Sequence, residues 1–473
     1  MILYKYLLPL FAVFTFSALQ AQNVYLKNAP PEAVSSFDRF LYDFWQKEKL
    51  TPALEASDSV MVRRLYIDLV GRVPTSAEAS SYLADKRPQK QKILVQKLLA
   101  SEECAMFLTM RFGDELRIKS EFPINLWPNA AYLYTQTIYN ALRTNMPYDK
   151  LASALILPDG SNFRNGYVNF LRAVSKKQPQ EIADAASRFL IGKSFAQLSA
   201  KEKEQFLNAF SAIRFKSTRE WKEEIVYSIL PGSADLRVPL IKDVIQQDAF
   251  AQNGVRRVWR WIFGSDQVDE RIIQHLAGEF RKNRYNLRAL IQEICTSSAY
   301  RVGSFCEGDY AAMKKAAAVY PIRRLDAEVL ADSIAQITGQ TYQYLSVIPE
   351  PFSYYNNRAA ALPDGSVTDQ FLMLFGRPSR DTGMPEERKS VITADQRLFL
   401  FNSGDLNRRL ANTHRMHLKG KKDRLGALYM LFYSRPPTKE ERNAYWQMAK
   451  KNNQLYGRMP WVLLNSKEFL YQH

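Results

Sequence analysis

Apolar residues recur at three- and four-residue spacing along most of the chain. That spacing predicts helices over 57–70, 88–118, 128–145, 234–263, 269–298 and 438–453. Start signals agree with it. Thr75 with Glu78, Ser199 with Glu202 and Thr438 with Glu441 each fit a capping box, in which a hydroxyl and a carboxylate satisfy free N–H groups at a helix start. No sustained apolar-polar alternation of the strand kind is present. The expected fold is mainly α, multi-helical, with two packed helical domains, long irregular loops and few or no strands. Two loop-like stretches interrupt the helices, 156–179 and 345–366, each carrying a Pro-Asp-Gly turn. The second is rich in Tyr and Asn, which suits either a sugar-contacting surface or an ordered loop packed by its own aromatic rings.

One unit occurs twice. Leu65, Tyr66, Arg72, Pro74, Thr75, Glu78 and Tyr82 match Leu428, Tyr429, Arg435, Pro437, Thr438, Glu441 and Tyr445. Each copy later reaches a Leu-Leu-x-Ser step, at Ser101 and at Ser466. The unit reads as a helix, a Pro-Thr turn that caps a second helix, and a third helix ending at a Ser cap. It is a packing signature without catalytic meaning.

The N-terminus changes the picture of where these helices work. Lys5 precedes an apolar stretch over 7–19 that is broken by Pro9 and too short to span a bilayer. Residues 1–21 are therefore expected to be a signal peptide cut after Ala21. The first cysteine is Cys104, so no lipid anchor is available. The mature protein is expected to be exported, periplasmic or extracellular, with no transmembrane segment left.

Export gives the composition its meaning. The chain has 473 residues, enough for two or three domains, and Lys+Arg 65 against Asp+Glu 48 leaves a formal charge of +17. Outside the cytoplasm that charge points away from nucleic acid and toward lipid headgroups, anionic glycans or a protein partner, or else to a solvated surface. With 4 His and 3 Cys, little material exists for a zinc, haem or His-based centre. No cofactor is expected. Cys295 and Cys306 are close enough in sequence to pair in an oxidising compartment, leaving Cys104 as a small buried side chain.

Two charged stretches are the binding candidates. Arg377, Arg380, Asp381, Glu387 and Arg388 fall in one Pro/Gly-containing loop, either to present Arg groups to an anion or to hold the loop on the core. Arg408, Arg409, Arg415, Lys419, Lys421 and Lys422 form the densest basic patch, where guanidinium forks match tetrahedral oxyanions. His414 and His417 share a helical face but lack a further ligand nearby. Neither a Gly-x-Ser-x-Gly elbow nor a His-Glu-x-x-His motif is present, and no residue is expected to be catalytic or metal-ligating.

The stretch from Arg63-Arg64-Leu65-Tyr66-Ile67-Asp68-Leu69 to Arg72-Val73-Pro74-Thr75 resembles the opening of the planctomycete cytochrome c-associated domain of PSCyt type. Arg257-Val-Trp259, Thr296-Ser297-Ser298-Ala299-Tyr300-Arg301, Phe375-Gly376-Arg377-Pro378 and Asn465-Ser466-Lys467-Glu468-Phe469 are similar to its paired C-terminal domain of PSD type. The resemblance implies a PSCyt-like domain over 22–230 and a PSD-like domain over 231–473, in an exported family mostly without assigned biochemical function. Relatives often carry a CxxCH-type haem motif after a Phe-Leu-Gly step; here Gly192 leads into Lys193-Ser-Phe-Ala-Gln. A Cys-rich stretch after Gly-Arg-Pro is replaced by the thiol-free run from Arg380 to Arg388. A Pro-Ser-His segment after Phe263-Gly264 is shortened away. The expected function is a non-catalytic binding or scaffold component of the cell envelope, contacting a protein partner or an anionic polymer. The alternatives are an enzyme on polysaccharide, sulfated or not, and a redox-associated protein without its own haem.

Overall fold

The computed structural model describes residues 22–228, 234–348, 357–452 and 455–473; the expected signal peptide and the Tyr-rich part of the second loop, 349–356, lie outside them. The described chain is mainly α. Helices α1 (Ser36–Lys47), α2 (Asp58–Val70), α3 (Ser76–Ala84), α4 (Lys90–Leu99), α5 (Glu102–Glu115), α6 (Pro128–Arg143) and α7 (Tyr148–Ile156) come first. Then follow α8 (Pro179–Ile191), α9 (Ala200–Ser211), α10 (Arg237–Gln246), α11 (Asp248–Phe263), α12 (Glu270–Lys282) and α13 (Leu287–Thr296). The remainder holds α14 (Ala327–Thr338), α15 (Ala394–Asn402), α16 (Gly404–His417), α17 (Arg424–Tyr433), α18 (Lys439–Lys451) and α19 (Leu455–Leu464). The helical run expected over 88–118 is two helices, because the Ser101 hydroxyl accepts from the Cys104 N–H and starts a new one.

Strands are short. β1 (Gly160–Ser161), β2 (Arg214–Ser217) and β3 (Glu224–Tyr227) form an antiparallel sheet in the order β1-β3-β2, so the first expected loop donates one edge strand. β4 (Arg323–Arg324) pairs antiparallel with β5 (Tyr471–Gln472), which returns the end of the chain to its middle.

Packing divides the molecule into two apolar cores. The first gathers side chains from Phe37 to Tyr320, the second those from Leu325 to Phe469. The change-over between the two cores falls at β4, and Val226 and Leu240 both belong to the first. Two early helices serve both. Helix α2 gives Leu65 and Leu69 to the first core and Ile67 to the second; α5 gives Leu108 and Phe112 to the first and Phe107 and Met110 to the second.

Helix α2 is buried from Ser59 to Val70, its charged residues included. Arg63 donates to the carbonyls of Phe432 and Phe469, at 2.7 and 2.8 Å. Arg64 donates to the carbonyls of Tyr300, Val302 and His473, and lies over the Tyr320 ring at 3.6 Å. Asp68 accepts from Arg323, from the Tyr300 hydroxyl at 2.7 Å and from the Gln472 amide at 2.7 Å. Burial of a charge is costly unless it is paired and hydrogen-bonded, and here the three charges together find partners on both sides of the core boundary.

The sequence repeat is a structural repeat. α2, α3 and α4 correspond to α17, α18 and α19. Each first helix ends on a left-handed residue, Gly71 at φ 71° and Ser434 at φ 61°. Thr75 and Thr438 form complete capping boxes with Glu78 and Glu441. Arg72 then bridges Glu78 and Glu103, and Arg435 bridges Glu441 and Glu468, with both carboxylates bound by forked contacts of 2.7–3.0 Å. Glu103 and Glu468 each stand two residues after their Ser cap.

A lysine in place of either arginine keeps the charge but loses the fork. We expect Arg72→Lys and Arg435→Lys each to lower stability by about 1–3 kcal/mol. The Arg435 variant should lose more, because that side chain is 4% exposed against 12% for Arg72. Urea unfolding midpoints check this; an unchanged midpoint in both contradicts the shared role.

Candidate functional site

A cleft of about 300 Å³ opens where the two cores meet. Helix α5 supplies Arg111, Asp114 and Glu115, and the end of α11 supplies Arg260 and Trp261, followed by Ser265 and Asp266. Arg323, Arg324 and Asp326 line it from the change-over, and Met384, Pro385, Glu386 and Arg388 from the opposite loop. Two stretches singled out in the sequence as departures from the resembling family, the turn after Phe263-Gly264 and the run from Arg380 to Arg388, therefore face one another across a single cleft.

The first candidate cluster is largely turned inward to build the wall. Arg388 donates to Glu328 at 2.7 and 3.1 Å and to Asp114 at 2.6 Å. Arg380 donates to Asp114 at 2.9 Å and is 1% exposed. It lies between two glycines: a Cβ at Gly113 would come within 3.0 Å of its guanidinium, and one at Gly365 within 2.9 Å of its Cδ. Arg377 donates to the carbonyls of Asp364 and Val367, and burial beside Arg380 lowers its pKa to about 10. Asp381 pairs with Lys119 at 2.5 Å, and Glu387 accepts from Thr382 and from the Asp381 N–H. The holding role therefore accounts for these contacts, and of the five only Arg388 lines the cleft.

Two of the cleft carboxylates, Asp114 and Asp326, are held in the ionised form. Burial alone would raise the Asp114 carboxyl, but Arg388, Arg380 and Arg111 hold it below the usual range. Asp326 behaves alike, depressed by Arg111, Arg388 and Arg323 against its burial. Neither suits the protonated acid that glycoside cleavage needs.

Arg324 is the exception among the cleft arginines. It is 6% exposed, and its Nη2 donates to the carbonyls of Phe375 and Lys389 at 2.7 and 2.8 Å. No carboxylate stands within 4.0 Å of it among the described residues, and its Nη1 has no partner. Arg324 thus lines the cleft held by carbonyls, with Asp326 the strongest of the nearby charges that favour its own, and with Nη1 buried and without a partner. Arg260, at the mouth, holds Asp266 at 3.1 Å and remains partly exposed.

The second candidate patch does not converge on a site. Arg409 lies over the Tyr342 ring at 4.2 Å and donates to Asp405 and to the carbonyls of Gln340 and Thr341. Arg408 also pairs with Asp405, and Arg415 donates to Asn412. Lys419, Lys421 and Lys422 stand exposed in the turn before α17. His414 packs on Tyr456 with ring centroids 4.5 Å apart, and burial lowers its pKa.

The bridge weighed between Cys295 and Cys306 is not formed; both are free thiols. Cys295 is fully buried in the last turn of α13, whereas Cys306 sits half-buried in the following loop. Burial pushes the Cys104 thiol up to about 12 and Cys295 well above its ordinary value. Among the described residues no group of three or more His, Cys, Asp or Glu is arranged for a metal ion, and no helix is long and apolar enough to cross a membrane.

The fold is thus a mainly α, two-core protein with a charged cleft at the core boundary. Residues 36–213 match the family model PSCyt2, protein of unknown function (DUF1549), and residues 243–449 match PSD1, protein of unknown function (DUF1553). The chain belongs to the proteins that carry this PSCyt–PSD domain pair. No curated protein and no solved structure matches it.

Removing Arg388 leaves Asp114 and Glu328 with a lost partner inside the wall. We expect Arg388→Met to cost about 3–5 kcal/mol. A depressed carboxylate contributes stability that is complete above its ordinary pKa and lost as pH falls through the lower folded value. Releasing Asp114 toward its ordinary value therefore shifts the onset of acid unfolding to higher pH. Circular dichroism against pH checks both the size and the direction.

Proposed function

We propose that this protein is a non-catalytic binding component of the cell envelope whose inter-core cleft takes an anionic group. The observation that carries the reading is Arg324, a buried cleft arginine without a carboxylate partner and with a free Nη1 donor. A buried guanidinium held by carbonyls rather than by a direct ion pair keeps part of its desolvation cost, and a carboxylate, sulfate or phosphate in the cleft would offset that cost. Trp261 beside it offers an apolar face for the body that bears the anion. The ionised state of Asp114 and Asp326 favours binding over polysaccharide hydrolysis. Export follows from Lys5 and the apolar stretch over 7–19, which support secretion with a mature end at Gln22.

Titration of the purified chain with sulfate and with galacturonate at low ionic strength tests the cleft. We expect a saturable change in tryptophan fluorescence that Trp261→Phe diminishes, and affinity about tenfold weaker in Arg260→Ala. No saturable response, or one indifferent to Arg260→Ala, overturns the cleft reading, and release of reducing sugar from a polysaccharide overturns the non-catalytic one. Fractionation of producing cells should place the chain outside the cytoplasm with Gln22 first; a cytoplasmic chain retaining Met1 contradicts export.

A further inference from the structure

A second surface stands apart from the cleft. The turn between β2 and β3 carries Trp221, which is 71% exposed. Its ring meets Trp127 with centroids 4.4 Å apart and planes at 67°. Lys222 places its ammonium over both rings, 4.7 Å from the centroid of Trp127 and 5.6 Å from that of Trp221. Both anchors hold left-handed backbones, Trp127 at φ 69° and Lys222 at φ 63°. Such conformations cost about 1–3 kcal/mol each in a residue with a Cβ and persist where the surroundings enforce them.

The sheet beside this pair is basic on its open face. Arg214 and Lys216 alternate along β2 and so share a face, on which the register sets Tyr227 directly opposite Arg214. Arg219 follows in the turn, and Arg214, Lys216, Arg219 and Lys222 are all exposed. Among the described residues none of these four has a carboxylate within 4.0 Å. The adjoining acids are engaged elsewhere: Glu224 holds Arg172 at 2.8 Å and Lys177 at 2.6 Å, while Glu223 accepts from Ser161 and Thr218. Only Glu220 in the turn is exposed.

We infer that this aromatic and basic face is a docking surface for an anionic polysaccharide. The open Trp221 ring would stack on the apolar face of a sugar, and the unpaired cations would meet its carboxylates or sulfates. Charge complementarity selects an acidic glycan over a neutral one. The single open ring selects a glycan over single-stranded nucleic acid, which uses successive rings for successive bases. The surface rests on residues separate from the cleft and stands whether or not the cleft binds an anion.

The test uses the full chain with dextran sulfate, unsulfated dextran of the same size, and an oligothymidylate. Dextran sulfate should bind in a salt-sensitive manner and unsulfated dextran much more weakly. Trp221→Ala, at a position exposed enough to leave the fold intact, should weaken dextran sulfate binding about tenfold, and Lys216→Ala with Arg219→Ala should flatten the salt dependence. Arg260→Ala removes only what the cleft contributes and should leave the tenfold effect of Trp221→Ala on dextran sulfate binding intact. Binding indifferent to Trp221→Ala overturns the proposal, and so does loss through Arg260→Ala alone. Equal affinity for unsulfated dextran, or tighter binding of the oligothymidylate, also overturns it.

Discussion

Three charges on one buried helix hold the two cores together. Arg63, Arg64 and Asp68 lie on α2 where an apolar residue would satisfy a simple packing rule. Each instead reaches backbone or side-chain partners more than 200 positions away. Arg63 caps the carbonyls of Phe432 and Phe469 in the second core, and Arg64 caps Tyr300 and Val302 in the first. Asp68 receives Arg323 at the change-over between them and Gln472 from the returning end of the chain. Removing one partner of such a group leaves its mate buried and unsatisfied, so the arrangement is sensitive to every member. The Arg-Arg-Leu-Tyr-Ile-Asp motif is in this light an architectural device.

The cleft is a consequence of that clamp. With β4 fixed against β5, Arg323 is committed to Asp68, while its neighbour Arg324 is committed to the loop carbonyls of Phe375 and Lys389. Arg380 and Arg388 bind the following loop to α5 through Asp114. The space between is walled by charges that largely neutralise one another, and the remainder is the spare donor of Arg324. Much of the large positive charge of the chain is similarly spent inside, on carbonyls and carboxylates. The exposed cations are spread over the surface, with local groups at the β2–β3 turn and at Lys419, Lys421 and Lys422.

Local features were legible in the sequence because local physics sets them. Spacing gave the helical class, and capping chemistry located the starts at Thr75, Ser199 and Thr438, each a complete capping box in the structure. The repeat was visible because Arg72 and Arg435 need the same two glutamates. Long-range pairings were not legible. Nothing in the run from Arg377 to Arg388 states that Asp114 and Glu328 are its partners, so an anion-presenting loop and a core-holding loop read alike. The change-over between cores at Leu325 was hidden for the same reason, since it is set by which distant helices pack together. The cleft did leave one trace: the two thiol- and histidine-free departures from the family pattern line it together. The Trp127–Trp221 pair left none, because a turn and a loop nearly 100 positions apart share no periodicity.

If α2 couples the cores, the two must unfold as one. Differential scanning calorimetry of the native chain and of Asp68→Asn tests this most directly. A single transition is expected in the native chain, with calorimetric and van't Hoff enthalpies equal, that separates into two in the variant. Two transitions in the native chain, or one undivided transition of unchanged midpoint in Asp68→Asn, would contradict it.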